Sequence, residues 1–163
     1  MITIDEVKGL AELDKFLETL PEELQRSMLY SALMTAAKPI MDQAKANVQR
    51  QFGGSMRWTG TLMTGVTRGR MKKTGLAARV DVKLKRPRGA GPTVINGVRK
   101  KYGNDPFYGR YLEMGTSRMA PQPWLRPAAD AKQGEAGEKM NAALQKQALK
   151  WCKANGVTYE PSA

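Results

Sequence analysis

The chain contains no histidine and a single cysteine, Cys152, among its 163 residues. The absence of histidine removes the commonest general base and most ligand sets for transition metals. One cysteine cannot form an intramolecular disulfide, and such a chain is typical of a reducing cytoplasm. We therefore expect no enzymatic activity, no metal and no cofactor, and we predict that Cys152 is a small buried residue on a helix.

Long apolar runs are also missing. No segment approaches the roughly 20 apolar residues of a membrane span. The first six residues lack the basic start and apolar stretch of a signal peptide. The length predicts a single domain over residues 1–163 that buries about 70% of its unfolded surface. We expect a soluble protein with no membrane partner.

Acidic residues are scarce in the middle of the chain. Residues 56–126 contain 16 Lys or Arg and 3 Asp or Glu, whereas the segments before and after carry net charges of only −2 and +1. This block indicates contact with a polyanion or an acidic protein surface more than a merely solvated face. Its three acids, Asp81, Asp105 and Glu113, do not follow a metal-ligand spacing. Glycine-rich phosphate-binding motifs are absent as well.

A long helix is predicted over residues 21–51. Thr19 and Glu22 have the spacing of a capping box, and apolar residues then recur at helical intervals. Pro39 lies inside this pattern and removes a backbone hydrogen bond. Because the apolar period continues in phase beyond Pro39, we predict a kink and not an end.

A second long helix is predicted over residues 126–154. Pro127 suits its first turn, and Asn155-Gly156 suits its end. Gly134 and Gly137 weaken its first half, since each costs about 1 kcal/mol relative to alanine in a helix. The tail, residues 157–163, is expected to be loosely held.

The segment between the helices has the composition of strands and turns. Residues 79–85 alternate strictly, which predicts a strand with Val80, Val82 and Leu84 facing inward. The fold class is therefore predicted to be α+β, an antiparallel β-sheet with the kinked N-terminal helix and the C-terminal helix packed on it.

Residues 86–106 are rich in glycine, proline and positive charge, and we predict a basic flexible loop or hairpin there. Asn96-Gly97 is a favoured two-residue turn, with residues 93–95 as one arm. This segment is the candidate partner-binding site. Its basic residues are Arg86, Arg88, Arg99, Lys100 and Lys101.

Residues 108–128 form the most distinctive pattern in the chain. They contain a Tyr-x-x-Tyr-x-Glu-x-Gly-Thr motif, followed at residues 119–128 by Met-Ala-Pro-Gln-Pro-Trp-Leu-Arg-Pro-Ala. The order of Ala-Ala-x-Pro-Ile at residues 36–40, Thr-Gly-x-Leu at residues 59–62 and this block resembles the head-tail connector and tail-completion proteins of long-tailed lambdoid siphophages. The signature residues are Tyr108, Tyr111, Glu113, Gly115, Thr116, Pro123, Trp124 and Pro127.

The resemblance implies a structural virion protein of the phage neck, assembled in the host cytoplasm. It implies a homo-oligomeric ring, six-fold by preference over twelve-fold, that completes the tail and joins it to the head-side connector so that DNA can pass. The implied partners are connector, adaptor or stopper proteins on the head side, and terminator or tube proteins of the tail. Transient contact with genomic DNA is also compatible with the charge. The alternative is a basic nucleic-acid-binding module without enzymatic activity.

The resemblance also assigns roles within the signature. The Glu-x-Gly-Thr turn is expected to follow a strand, with Gly115 at positive φ, Thr116 bonded locally and Glu113 paired with Arg118 or Arg126. Trp124 is expected in the helix-sheet core, with a subunit interface as its alternative. A structural ion pair at a turn would make Glu113→Gln mild.

Overall fold

A computed structural model describes residues 15–55, 59–71, 78–86, 93–95, 97–100 and 105–156. It shows an α+β protein, as predicted, with more helix than strand. In chain order, its elements are helix α1 (Glu22–Phe52), helix α2 (Thr61–Gly65), strands β1 (Val66–Met71), β2 (Arg79–Leu84), β3 (Thr93–Ile95) and β4 (Val98–Lys100), a 3-10 turn (Pro106–Tyr108), helix α3 (Gly109–Met114) and helix α4 (Arg126–Asn155). The predicted tail at residues 157–163 lies outside the described residues.

Helix α1 confirms the predicted long helix and continues through Pro39. Its first turn is acidic, which suits the positive end of the helix dipole. The predicted capping box is wrong, because α1 begins at Glu22 and Thr19 lies before its N-cap position; the Thr19 hydroxyl donates to the carbonyl of Phe16 at 2.7 Å. The chain enters α1 instead through the carbonyl of Pro21, which accepts from the backbone amides of Leu24 and Gln25. The kink at Pro39 stays a prediction.

Helix α4 confirms the second predicted helix and ends before Gly156, whose φ is +67°. Cys152 is 3% exposed on this helix, as expected. The helix also runs unbroken through Gly134 and Gly137. An added Cβ would meet nothing within 4 Å at either glycine.

Those two open positions make a stabilising change available. We expect Gly134→Ala and Gly137→Ala each to raise the free energy of unfolding by about 0.5–1 kcal/mol, because alanine loses less backbone entropy in a helix. Chemical denaturation of the single and double variants measures it. A loss of stability in the double variant would show that the helix needs these glycines.

The strands form two small sheets within the described part of the chain. β1 pairs with β2, and β3 pairs with β4 in an antiparallel hairpin with Ile95 opposite Val98. This register agrees with a hairpin whose first arm is residues 93–95, and Gly97 has φ +75°, while Asn96 lies outside the described residues. The β2 strand also confirms the alternating segment, with Val82 and Leu84 packed against a core.

The chain divides into two compact units. One comprises residues 1–37, 70–80 and 134–163, and the other comprises residues 38–69 and 81–133. The single domain over residues 1–163 stays a prediction. None of the described helices is both long and apolar enough to cross a membrane.

Each unit has its own hydrophobic core. In the first unit, the start of α1 packs against the later part of α4 through Met28, Ala32, Leu144 and Ala148. In the second unit, the core contains residues from α1, α2, β1, α4 and the segment before α4, namely Ala44, Val48, Leu62, Val66, Trp124 and Ala128. The second core supports the polar site described next.

Candidate functional site

The most organised polar site of the described residues is centred on the Glu113 carboxylate. Its Oε2 accepts the backbone amides of Trp124 at 2.7 Å and Leu125 at 2.9 Å. Its Oε1 accepts the backbone amide of Arg126 at 2.9 Å. The expected ion pair with Arg118 or Arg126 is not formed, because the carboxylate faces backbone donors at the start of α4. We call these contacts the Glu113 cap.

The start of α4 explains why the cap comes from elsewhere in the chain. Leu125 occupies the N-cap position, since its carbonyl accepts the amide of Ala129 at 3.0 Å. A leucine side chain cannot accept the unpaired amides of a first helical turn. Pro127, also in that turn, has no amide to satisfy. Glu113 therefore supplies from α3 the acceptor that α4 lacks, and its negative charge suits the helix dipole.

The carbonyls of the same segment are held by side chains of α1. Asn47 Nδ2 donates to the carbonyl of Trp124 at 3.0 Å, and Gln51 Nε2 donates to the carbonyl of Pro123 at 3.0 Å. Asn47 is only 3% exposed, and its Oδ1 accepts from Gln43 and Arg50. Sequence analysis missed Asn47. The available signal was a polar residue beside Ala44 and Val48 on the apolar face of the helix.

Trp124 connects this polar site to the core. Its side chain is 2% exposed, and its indole Nε1 donates to the carbonyl of Gly109 at 3.1 Å. Gly109 also lies in close contact with Leu62 and Leu84, so a larger residue there would collide with both. The tryptophan occupies the core position that was expected, and it fixes α3 to the segment before α4.

The turn after α3 depends on Gly115. Its φ of +74° and ψ of 179° form a conformation that is essentially restricted to glycine. The backbones of Thr116 and Met119 then bond to each other, and the Thr116 hydroxyl accepts the amide of Arg118 at 3.3 Å. The implied strand before this turn is wrong, because Gly109–Met114 is helical. Placing Glu113 in a helical turn aims its carboxylate at α4.

Tyr108 and Tyr111 differ although both belong to the signature. Tyr108 packs against the second core, and burial raises the pKa of its phenol above 10.0, with hydrogen bonds to Thr59 and Leu62 acting in the opposite direction. The folded chain therefore favours the neutral phenol, and this contribution to stability is lost as the pH rises above 10.0. Tyr111 is 51% exposed.

The candidate basic residues occupy different positions. Arg86 forms an ion pair with Asp105, with 3.2 Å between Arg86 Nε and Asp105 Oδ2. Asp105 also accepts the amide of Phe107 and so begins the 3-10 turn. The ion pair closes the base of the segment that carries the hairpin. Arg99 and Lys100 lie in β4, while Arg88 and Lys101 fall outside the described residues. Their role as a partner-binding set stays a prediction.

The arrangement around Glu113 joins backbone segments to one another. Within the described ranges, no three or more Cys, Asp or Glu residues gather as a metal site would require. What the geometry defines is an α+β scaffold in which a carboxylate, two side-chain amides and an indole fix the path from α3 into α4.

A family comparison identifies this scaffold. The model of the HK97-gp10-like family, described as "Bacteriophage HK97-gp10, putative tail-component", matches residues 11–115. Since this match covers more than half of the chain, the protein belongs to that family of phage tail components. Neither a curated protein nor a solved structure matches the chain.

Proposed function

We propose that this chain is a ring subunit of the phage neck, which completes the tail and joins it to the head-side connector so that DNA passes through. The observation that supports this most directly is membership of a phage tail-component family. In this proposal the protein acts by assembly and not by catalysis. It is part of the virion at the top of the tail, with connector or stopper proteins on one side and terminator or tube proteins on the other.

The charge distribution supports a joining role. Residues 56–126 carry a net charge of +13, against +12 for the whole chain, and the hairpin of β3 and β4 lies within this block. A field of one sign speeds docking to an acidic protein and fixes its register. A channel for DNA should not bind the DNA tightly. Each phosphate that a basic side chain neutralises adds a salt-dependent attraction, and this attraction slows passage. We therefore assign the hairpin to an acidic protein neighbour.

Deleting the gene from the phage tests the proposed function. We expect lysates that contain filled heads and separate tails in electron micrographs, with infectivity restored when the protein is supplied in trans. Complete virions with an ordinary neck would contradict the proposal. Particles in which heads are joined to tails of abnormal length would instead place the protein within the tail tube.

Charge reversal of the hairpin gives a sharper test. We expect Arg88→Glu, Arg99→Glu, Lys100→Glu and Lys101→Glu together to give separate heads and tails, since the attraction to an acidic neighbour becomes a repulsion. Arg86 must stay unchanged, because a glutamate there would face Asp105 and disturb the hairpin base. Electron microscopy of phage complemented with the variant measures the outcome.

The contrary outcome is specific. Normally joined virions with a defect only in DNA retention or ejection would assign the hairpin to DNA. A matched control is Lys38→Glu with Lys146→Glu, Lys150→Glu and Lys153→Glu, which makes the same change in net charge at exposed residues outside the hairpin.

A further inference from the structure

The outward side of α3 is unusually apolar for a solvent-facing surface. Phe107, Tyr111 and Met114 are 53%, 51% and 69% exposed, and they are spaced at i, i+4 and i+7 along the 3-10 turn and α3. The rings of Phe107 and Tyr111 lie edge to face at 6.5 Å. Arg110 belongs to the same side by its spacing and is also exposed. We call these four residues the α3 outer face.

The rest of α3 is already used for packing. Gly109 is buried, and Leu112 packs against the second core with Tyr108. Aromatic, methionine and arginine residues on one helical face are the types enriched at protein interfaces. The α3 outer face thus has the composition of a contact surface whose partner is a protein.

The α3 outer face is positively charged, because the acidic residues near it in the sequence already bind groups within the same chain. Asp105 is paired with Arg86, and Glu113 accepts three backbone amides. Arg110 is consequently the charge that this face presents. A two-fold pairing of the face with itself would bring two copies of Arg110 together, and such like-charge juxtaposition is costly.

A surface of opposite sign exists on the same chain. Residues 15–24 contain three glutamates and one lysine, and Leu24 is 39% exposed at the start of α1. Glu22 pairs with Arg26, whereas Glu18 and Glu23 are exposed, and Glu23 directly precedes that leucine. These acidic residues and the exposed Leu24 complement the α3 outer face in charge, and both surfaces present exposed apolar side chains.

We infer that the α3 outer face binds the acidic segment of residues 15–24, which leads into α1, on a second copy of the chain. Such a head-to-tail contact uses two different surfaces and can close into a ring. The inference rests on the proposed ring and names the surfaces that build it. The few side chains named here form the centre of the contact. A stable contact must bury more than about 1,000 Å² of surface in total between the two copies. Pairwise association is therefore weak, and closure of the ring strengthens it.

Sedimentation velocity of the purified full chain over a range of concentrations and salt tests this. We expect oligomers at high concentration that dissociate as salt rises, because exposed charges are screened. Arg110→Glu and Met114→Ser should each weaken association about tenfold, the scale of a single interface hot spot. Lys38→Glu makes the same charge change as Arg110→Glu elsewhere and should leave association unchanged. Thermal melts verify that every variant is folded.

A charge swap gives the decisive comparison. Adding Glu23→Arg to Arg110→Glu should restore association, whereas adding Glu138→Arg to Arg110→Glu should not, although both double variants have the same net charge. A chain that stays monomeric at all concentrations, or equal behaviour of the two double variants, would overturn the inference. If oligomers form but ignore these changes, the inference fails while the proposed ring stands; the gene deletion decides the neck function separately.

Discussion

Replacing Glu113 with alanine is expected to lower the free energy of unfolding by about 3 kcal/mol, and replacing it with glutamine by about 2 kcal/mol. The carboxylate accepts three backbone amides, and hydrogen bonds to a charged group are stronger than neutral ones. Glutamine retains one acceptor oxygen but turns an amide nitrogen toward a backbone donor. Chemical denaturation of the purified variants measures both losses.

The control is the exposed Glu138 of α4, whose replacement by glutamine should change stability by less than about 0.5 kcal/mol. If Glu113→Gln were as harmless as Glu138→Gln, the cap would contribute nothing. The sequence favoured that mild outcome, because it suggested a surface ion pair worth about 0–1 kcal/mol. A Glu113→Gln protein that folds and assembles normally yet fails in infection would indicate a chemical role for the carboxylate.

Replacing Gly115 with valine is expected to destabilise the chain by about 3 kcal/mol or more, a large part of the roughly 5–15 kcal/mol by which folded domains are stable. Two effects combine there. The backbone conformation is strained for any residue with a Cβ, and that Cβ would lie 2.9 Å from both Met119 O and Pro121 N. Those contacts are backbone atoms of the same turn, so they cannot move aside easily. Soluble yield and thermal unfolding report the effect.

Gly60 provides a reference with a less restricted backbone conformation and no crowding. It also has positive φ, at +70°, but an added Cβ would meet nothing within 4 Å. Gly60→Ala should therefore cost only the strain of the left-handed conformation, about 1–2 kcal/mol. Similar losses for Gly60→Ala and Gly115→Ala would show that neither the crowding around Gly115 nor its more restricted backbone conformation adds to the cost.

The sequence predicted the long helices well because their signals repeat over many turns. Helices α1 and α4 begin and end within about two residues of their predicted bounds. The hairpin was also predictable, since Asn96-Gly97 fixes a turn by local chemistry. In each case the information lies within the segment itself.

Long-range partners were not predictable in the same way. Nothing near Glu113 in the sequence indicates that its acceptors serve amides 11 to 13 residues later. The strand implied before the Gly115 turn proved to be a short helix, because six residues carry too little periodicity to distinguish the two. Asn47 was overlooked because its role depends on a hydrogen bond to the carbonyl of Trp124, which is distant in the sequence.

The ion pair between Arg86 and Asp105 holds together the two residues that flank the hairpin segment, residues 87–104. Loops closed in this way tolerate changes of length cheaply, since doubling a loop costs only about 0.6 kcal/mol. Residues 87–104 could therefore be exchanged for a segment of different size and charge while the Glu113 cap and the second core remain intact. If this segment binds the neighbouring protein as proposed, a chimera carrying the corresponding segment of a related phage protein would acquire the attachment specificity of its donor.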